Sequence, residues 1–191
     1  MHRFHAPDLD AGDEFVTLPA EEAEHLTRVL RLGPDADVAV FDGRGHEFLA
    51  RVSTATRSDV RLKILAARPP AAPEPQVAIT LVQSVVRGDR MDEIVRDAAM
   101  MGVDAVQPLI TARSEVTVAA LERAGKVDRW QRIALSSVKQ CGRAVVPEVR
   151  RALTFERYLD EPAPDVRLML VEPRAGGDAV NAGWLRARAV P

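Results

Sequence analysis

The sequence predicts a mixed α+β and α/β chain, with a small N-terminal β-barrel joined to an α/β domain of parallel βαβ units. Three observations carry this. The first 70 or so residues hold several short alternating apolar runs around a hairpin signal. Further on, short apolar runs alternate with amphipathic helical stretches. Between them, "ARPPAAPEPQ" (Ala67 to Gln76) carries four prolines and supports neither a regular helix nor a central strand. The expected parts are a barrel over 1–68, a stiff extended linker over 69–76 and an α/β domain over 77–191.

In the barrel, "EFVTL" reads as a strand, and Pro19 suits the first turn of a helix. Ala23, Leu26, Val29 and Leu30 then recur at helical spacing. "DVAVFDGRGHEFLARV" is a hairpin turning at Asp42-Gly43, and "DVRLKIL" puts Val60, Leu62 and Ile64 on one face. In the α/β domain, "VAITLV" and "VDAVQPLI" are strands. The helix between them, Asp89 to Met101, gathers Met91, Ile94, Val95, Ala98 and Met101 on one face, and Gly102 closes it. A second helix carries Trp130, Ile133, Ala134, Val138 and Cys141, again before a glycine. "VVPEV" and "VRLMLV" supply further strands, with a short helix starting near Thr154. The run Leu168 to Val171 reads as a buried strand, and "PRAGGD" as the loop after it.

Composition narrows the function classes. A chain of 191 residues, 47% hydrophobic and 28% charged, is ordinary for a globular protein of one domain or two small ones. No apolar stretch approaches the roughly 20 residues of a membrane span. The N-terminus lacks a signal-peptide core, so a cytoplasmic location without membrane partners is expected. A net charge of -2 argues against a uniformly basic nucleic-acid binder, yet Arg outnumbers Lys 23 to 3. Arg matches phosphate oxygens and stacks on bases, which fits an RNA partner; codon bias in a GC-rich genome explains the excess equally well.

Catalytic motifs are few. Cys141, the single cysteine, sits on a helix's apolar stripe and reads as packing. The four histidines lack metal-ligand spacing, so no metal is expected, and no GxSxG, GxxxxGK[ST] or HExxH occurs. What remains is a set of arginine-bearing loops at element ends. "VRGDRMD" carries Arg87 and Arg90, "TARSE" carries Thr111, Arg113 and Ser114, and "KQCGRAVVP" carries Lys139, Gln140 and Arg143. "EHLTRVLRL" places Arg28 and Arg31 at a helix end, with His25 one turn earlier. Singly, each reads as a solvated arginine. Together they suggest a site lined with phosphate contacts in an RNA- or nucleotide-binding α/β protein.

Taken in order, "HLTRVLRL", "VAVFDGRGHEFLARV", "QSVVRGDRMDEIV", "MGVDAVQPLITARS", "RWQRIALSSVKQCGRAVVPEV" and "VEPRA" resemble the RsmE family of 16S rRNA uridine-N3 methyltransferases. The resemblance covers nearly the whole chain. It implies a PUA-like barrel that holds RNA, a SPOUT-type α/β domain, a homodimer, S-adenosylmethionine as methyl donor and the small-subunit 16S rRNA as partner. It makes Arg143 and Arg113 the expected catalytic donors and Leu170, Glu172 and Pro173 part of the cofactor pocket. His25, Arg28, Arg31, Arg87 and Arg90 become the expected RNA contacts. The family's "GPEGG"-like and "LRTETA"-like knot segments find no match before Pro191, so the knot is expected to be missing and the chain alone inactive. The alternative is a non-catalytic rRNA-binding protein. Met100, Ala112 and Lys139 stand where the family commonly has glutamate, and Asp97 where it has lysine.

Overall fold

A computed structural model describes residues 1–56, 59–162, 166–170, 183, 184 and 187. The N-terminal half is a five-stranded sheet built from β1 (Arg3–His5), β2 (Phe15–Thr17), β3 (Asp37–Phe41), β4 (Glu47–Ala55) and β5 (Val60–Arg68). Its order is β1-β3-β4-β5-β2, which leaves β1 and β2 as edges, so the expected barrel is an open half-barrel. Irregular pairing at Leu49/Ala50 and Val52/Thr54 curls the long β4–β5 pair. The curled sheet wraps a core of Phe4, Leu9, Leu26, Val38, Val52 and Leu62. β1 escapes sequence pattern because three residues cannot show an alternation.

Pro19 is the N-cap of α1 (Ala20–Glu24) rather than its first helical residue. The chain then passes into a π-helical turn, His25–Val29. The wider turn breaks the 3.6-residue stripe: Ala23 and Leu26 are buried, but Val29 is 65% exposed.

The second half is a parallel sheet of β6 (Thr80–Ser84), β7 (Ala105–Ile110) and β8 (Glu148–Val149), with β9 (Leu153–Thr154) pairing further along β7. Its helices are α2 (Arg90–Met101), α3 (Val118–Arg123), α4 (Lys126–Cys141) and α5 (Phe155–Asp160), which Thr154 caps through its side chain. Met91, Val95 and Ala99 of α2 meet Trp130 and Ala134 of α4 and Val106 of β7 in one core. Met101 is 84% exposed instead of buried. At about 100° per residue it stands on the flank of the stripe that runs through Met91, Val95 and Ala98. No described helix is long and apolar enough to cross a membrane.

Two further sequence expectations change. Residues 166–170 form no strand, and Leu168, Met169 and Leu170 are exposed. An apolar run becomes a strand only when an edge pairs with it, and these residues have no ladder partner among the described residues. Val171 and "PRAGGD" lie outside the described residues. The proline-rich linker is irregular, as expected, but it is not a free spacer. Gly102 (φ +101°) and Gly142 (φ +87°) close α2 and α4 in the left-handed conformation. The linker lies against both: a Cβ on Gly102 would meet Pro75 at 2.5 Å, and one on Gly142 would meet Ala71 at 2.9 Å.

Candidate nucleic-acid interface

Two parallel strands, β6 and β7, end side by side, and the crevice beyond such carboxyl ends is where α/β proteins hold ligands. Hydroxyls tie the two ends together. Ser84 Oγ and Thr111 Oγ1 lie 3.1 Å apart, and Ser114 Oγ accepts from the Thr111 amide at 3.0 Å. After β6 the chain turns at Gly88 (φ +72°) into the N-terminus of α2. No side chain caps that helix end.

An open cavity of about 490 Å³ follows. Arg87, Arg90, Arg113 and Lys126 line it, with Asp89 and Glu115 as the opposing charges. Arg87 is exposed and meets Glu115 at 3.4 Å, while Arg90 and Arg113 are exposed to solvent. The cavity's rim is therefore cationic with donors facing water. Its floor is rigid. Trp130 is buried and its Nε1 donates to Asp92 at 3.0 Å, while Arg129 clamps the same carboxylate, so the first turn of α2 is pinned to α4. Asp92, Arg129 and Trp130 were not anticipated in this role. The only sequence signal is an acidic residue in a helix's first turn.

Three expected contacts lie on the half-barrel and line neither this cavity nor the larger one described below. Arg28 is exposed and pairs with Glu24 one helical turn away. Arg31 is exposed at φ +53° just past the π-helical turn. The His25 ring is half-buried, edge-on to Phe4 with centroids 6.3 Å apart.

Arg143 has other partners than a substrate. It is 2% exposed. Its Nε donates to Glu74 at 2.8 Å, Nη1 to the carbonyls of Ala99 and Val103 at 2.6 and 3.2 Å, and Nη2 to Val103 at 3.2 Å. Glu74 also accepts from the amides of Ala144 and Val145. Such a guanidinium ties linker, α2 and the end of α4 together and has no donor left for a reacting base. Lys139, in the position of a family glutamate, places Nζ 2.8 Å from both oxygens of Glu22 in α1. Met100 and Ala112 are exposed, and Asp97 pairs with its neighbour Arg96.

The cofactor residues fare differently. Leu170 is 100% exposed and lines neither cavity; Glu172 and Pro173 lie outside the described residues. A larger cavity of about 650 Å³ is lined by Arg150, Arg151 and Arg167 with Tyr158 and Gln107. Three guanidiniums suit anions, and Glu161 is the single carboxylate among the described lining residues. Among the described residues no three His, Cys, Asp or Glu side chains stand together as a metal site.

Comparison with known proteins agrees with this architecture. The family profile described as "RNA methyltransferase domain" matches residues 72–182, and "RNA methyltransferase PUA domain" matches residues 18–65. The chain thus belongs to the PUA-containing RNA methyltransferase family, with a SPOUT-type fold. Ribosomal RNA small subunit methyltransferase E of Synechocystis is 29% identical over 168 residues, covering 87% of this chain and 53% of that protein. The Neisseria gonorrhoeae protein of the same name, solved bound to S-adenosyl methionine, superposes with a TM-score of 0.77 at 33% identity. That match covers 86% of this chain and 67% of the other. A Legionella pneumophila protein solved with SAM gives 0.78 at 26% identity, covering 87% and 68%. The chain spans about half to two-thirds of the length of these relatives.

Proposed function

We propose that this chain acts in S-adenosylmethionine-dependent methylation of small-subunit rRNA, at N3 of a uridine in 16S rRNA, and that its described residues supply the RNA grip. The observation that carries this reading is the cationic cavity at the carboxyl ends of β6 and β7, in a chain of an RNA methyltransferase family. Arg87, Arg90 and Lys126 hold phosphates there, and Arg28 and Arg31 extend the track along the half-barrel. The uracil N3–H lies on the Watson–Crick edge, so the base must be unpaired before it can react. Arg113, at the rim beside Ser114, is the donor assigned to the uracil oxygens as they gain negative charge. S-adenosylmethionine supplies the methyl group when bound. The relatives solved with S-adenosyl methionine support that donor; the family resemblance implies a homodimer, and a cytoplasmic site of action is part of the same reading.

The test is a titration of a 16S rRNA fragment into the chain at several salt concentrations. Expected is affinity that falls steeply with salt, and a smaller slope once Arg87, Arg90 and Arg113 are replaced by alanine. A slope unaltered by the triple replacement overturns the assignment. Reverse transcription of small subunits incubated with chain and donor reads the chemistry, since methylation at N3 blocks pairing and arrests the transcriptase. Salt-dependent binding without arrest is the expected result for this chain alone, and arrest would overturn the expectation that it is inactive by itself.

A further inference from the structure

The stretch "VKQCGRAVV", Val138 to Val146, reads as an arginine-bearing loop, yet the ties between the two domains converge on it. The hairpin tip of the half-barrel lies against it: Val146 N donates to Gly43 O at 2.9 Å and Gly45 N to Ala144 O at 3.2 Å. Phe41 of β3 is buried with Val138 and Ala144 in a small apolar core at the junction. Arg3 of β1 is the central tie. Its Nη1 donates to the carbonyls of Val138 and Lys139 at 3.2 and 3.1 Å, and its Nη2 to that of Arg143 at 2.8 Å. The first two lie in the last turn of α4, where the helix dipole favours a cation, and the Val138 carbonyl also accepts from the Gly142 amide at 3.1 Å.

The rest of the guanidinium is also engaged. Nε and Nη2 donate to Glu47 Oε2 at 3.1 and 2.7 Å; the other carboxylate oxygen faces Arg68 at 3.3 Å. The Phe41 ring lies beneath, 4.7 Å from the guanidinium carbon. The Arg3 side chain is 12% exposed, with its donors facing protein. From this junction α4 runs back to the cavity, which its Lys126 and Trp130 line. Its 16 residues span about 24 Å. One helix is thus gripped by the half-barrel at its end and forms part of the cavity at its start.

We infer that Arg3 is a positioning residue for RNA. It locks the half-barrel to the end of α4, so that Arg28 and Arg31 stand at a set distance from Arg87, Arg90 and Arg113. The inference rests on the RNA-binding reading above. Two grips on one rigid frame bind a strand that spans them at high effective concentration, and a hinge between them dilutes the second grip.

The test uses the whole chain with Arg3→Ala. The paired variant Arg3→Met/Glu47→Gln removes both charges and serves where the single change costs the fold. Residual dipolar couplings measured without RNA should fit one alignment tensor for both domains in the parent chain and two in the variants. Affinity for a small-subunit rRNA hairpin should fall by roughly 10- to 100-fold. Affinity for an oligonucleotide of about 5 nucleotides, too short to span both grips, should hold within about twofold. A single shared tensor in the folded variants overturns the inference, and so does an equal loss on both RNAs. Failure of the RNA reading has a different signature: the parent chain then binds neither RNA, while removing Arg3 still separates the tensors.

Discussion

The domain junction and the carboxyl-end cavity are both rich in arginine, and they treat it in opposite ways. At the junction Arg3 and Arg143 are shielded and their donors point at carbonyls and at the carboxylates of Glu47 and Glu74. At the cavity Arg87, Arg90 and Arg113 stand in solvent, with Glu115 as a loose partner for the first. Burying a guanidinium requires that nearly every donor be matched, so buried arginines become joints. An arginine left in water keeps its donors for a ligand. Residue type alone does not separate the two classes; the surroundings do.

Substitutions at the two regions should therefore part company. The largest effect is expected for Arg143→Ala, which strands Glu74 and two carbonyls: about 3 kcal/mol lost in chemical denaturation. An unchanged unfolding midpoint would move Arg143 back among the exposed arginines. Next comes the second charged tie. Lys139→Met should cost about 2 kcal/mol, because Glu22 is left largely buried without its cation, and adding Glu22→Leu should restore part of it. At the cavity the sign of the comparison reverses. Arg87→Ala or Arg113→Ala should leave the unfolding free energy within about 0.5 kcal/mol. Arg87→Ala should weaken RNA binding and lower the salt slope by about 1, whereas Arg113→Ala, which removes a base contact, should weaken binding with little change in slope.

The smallest effect is a pH dependence at the junction. His5 lies against Gly43, and burial pulls its pKa below the ordinary 6.5 despite Glu22 and Asp42, with Lys139 adding to the fall. A lowered folded-state value means the neutral ring is the stabilising form. Its contribution is complete above about pH 6.5 and fades as pH falls through the folded value. Stability measured downward from pH 7 should decline less in His5→Gln than in the parent chain. Parallel curves would show that His5 does not gate the junction.

Much of the fold was legible because its long elements carry their own period. α2 and α4 show apolar stripes closed by Gly102 and Gly142, and Asp42-Gly43 marks the hairpin. β1, β8 and β9 are too short to show a period, and the π-helical turn at His25 changes the period midway. The arginine loops after β6 and β7 were legible as a group because both follow parallel strands. Arg143 was not separable from them. Its burial depends on Glu74 in the linker and on carbonyls of α2, partners 69 and 40 to 44 residues distant in sequence. The Glu22–Lys139 pair, 117 residues apart, was beyond local pattern for the same reason.

The proline-rich stretch meets its two supports four residues apart, Ala71 on the glycine that ends α4 and Pro75 on the one that ends α2. It therefore works as a measured tie-bar. Its chemistry can drift at exposed Pro73 but not at Glu74, which Arg143 holds, and its length cannot change: one residue inserted or deleted there would lift one seat out of register with the other.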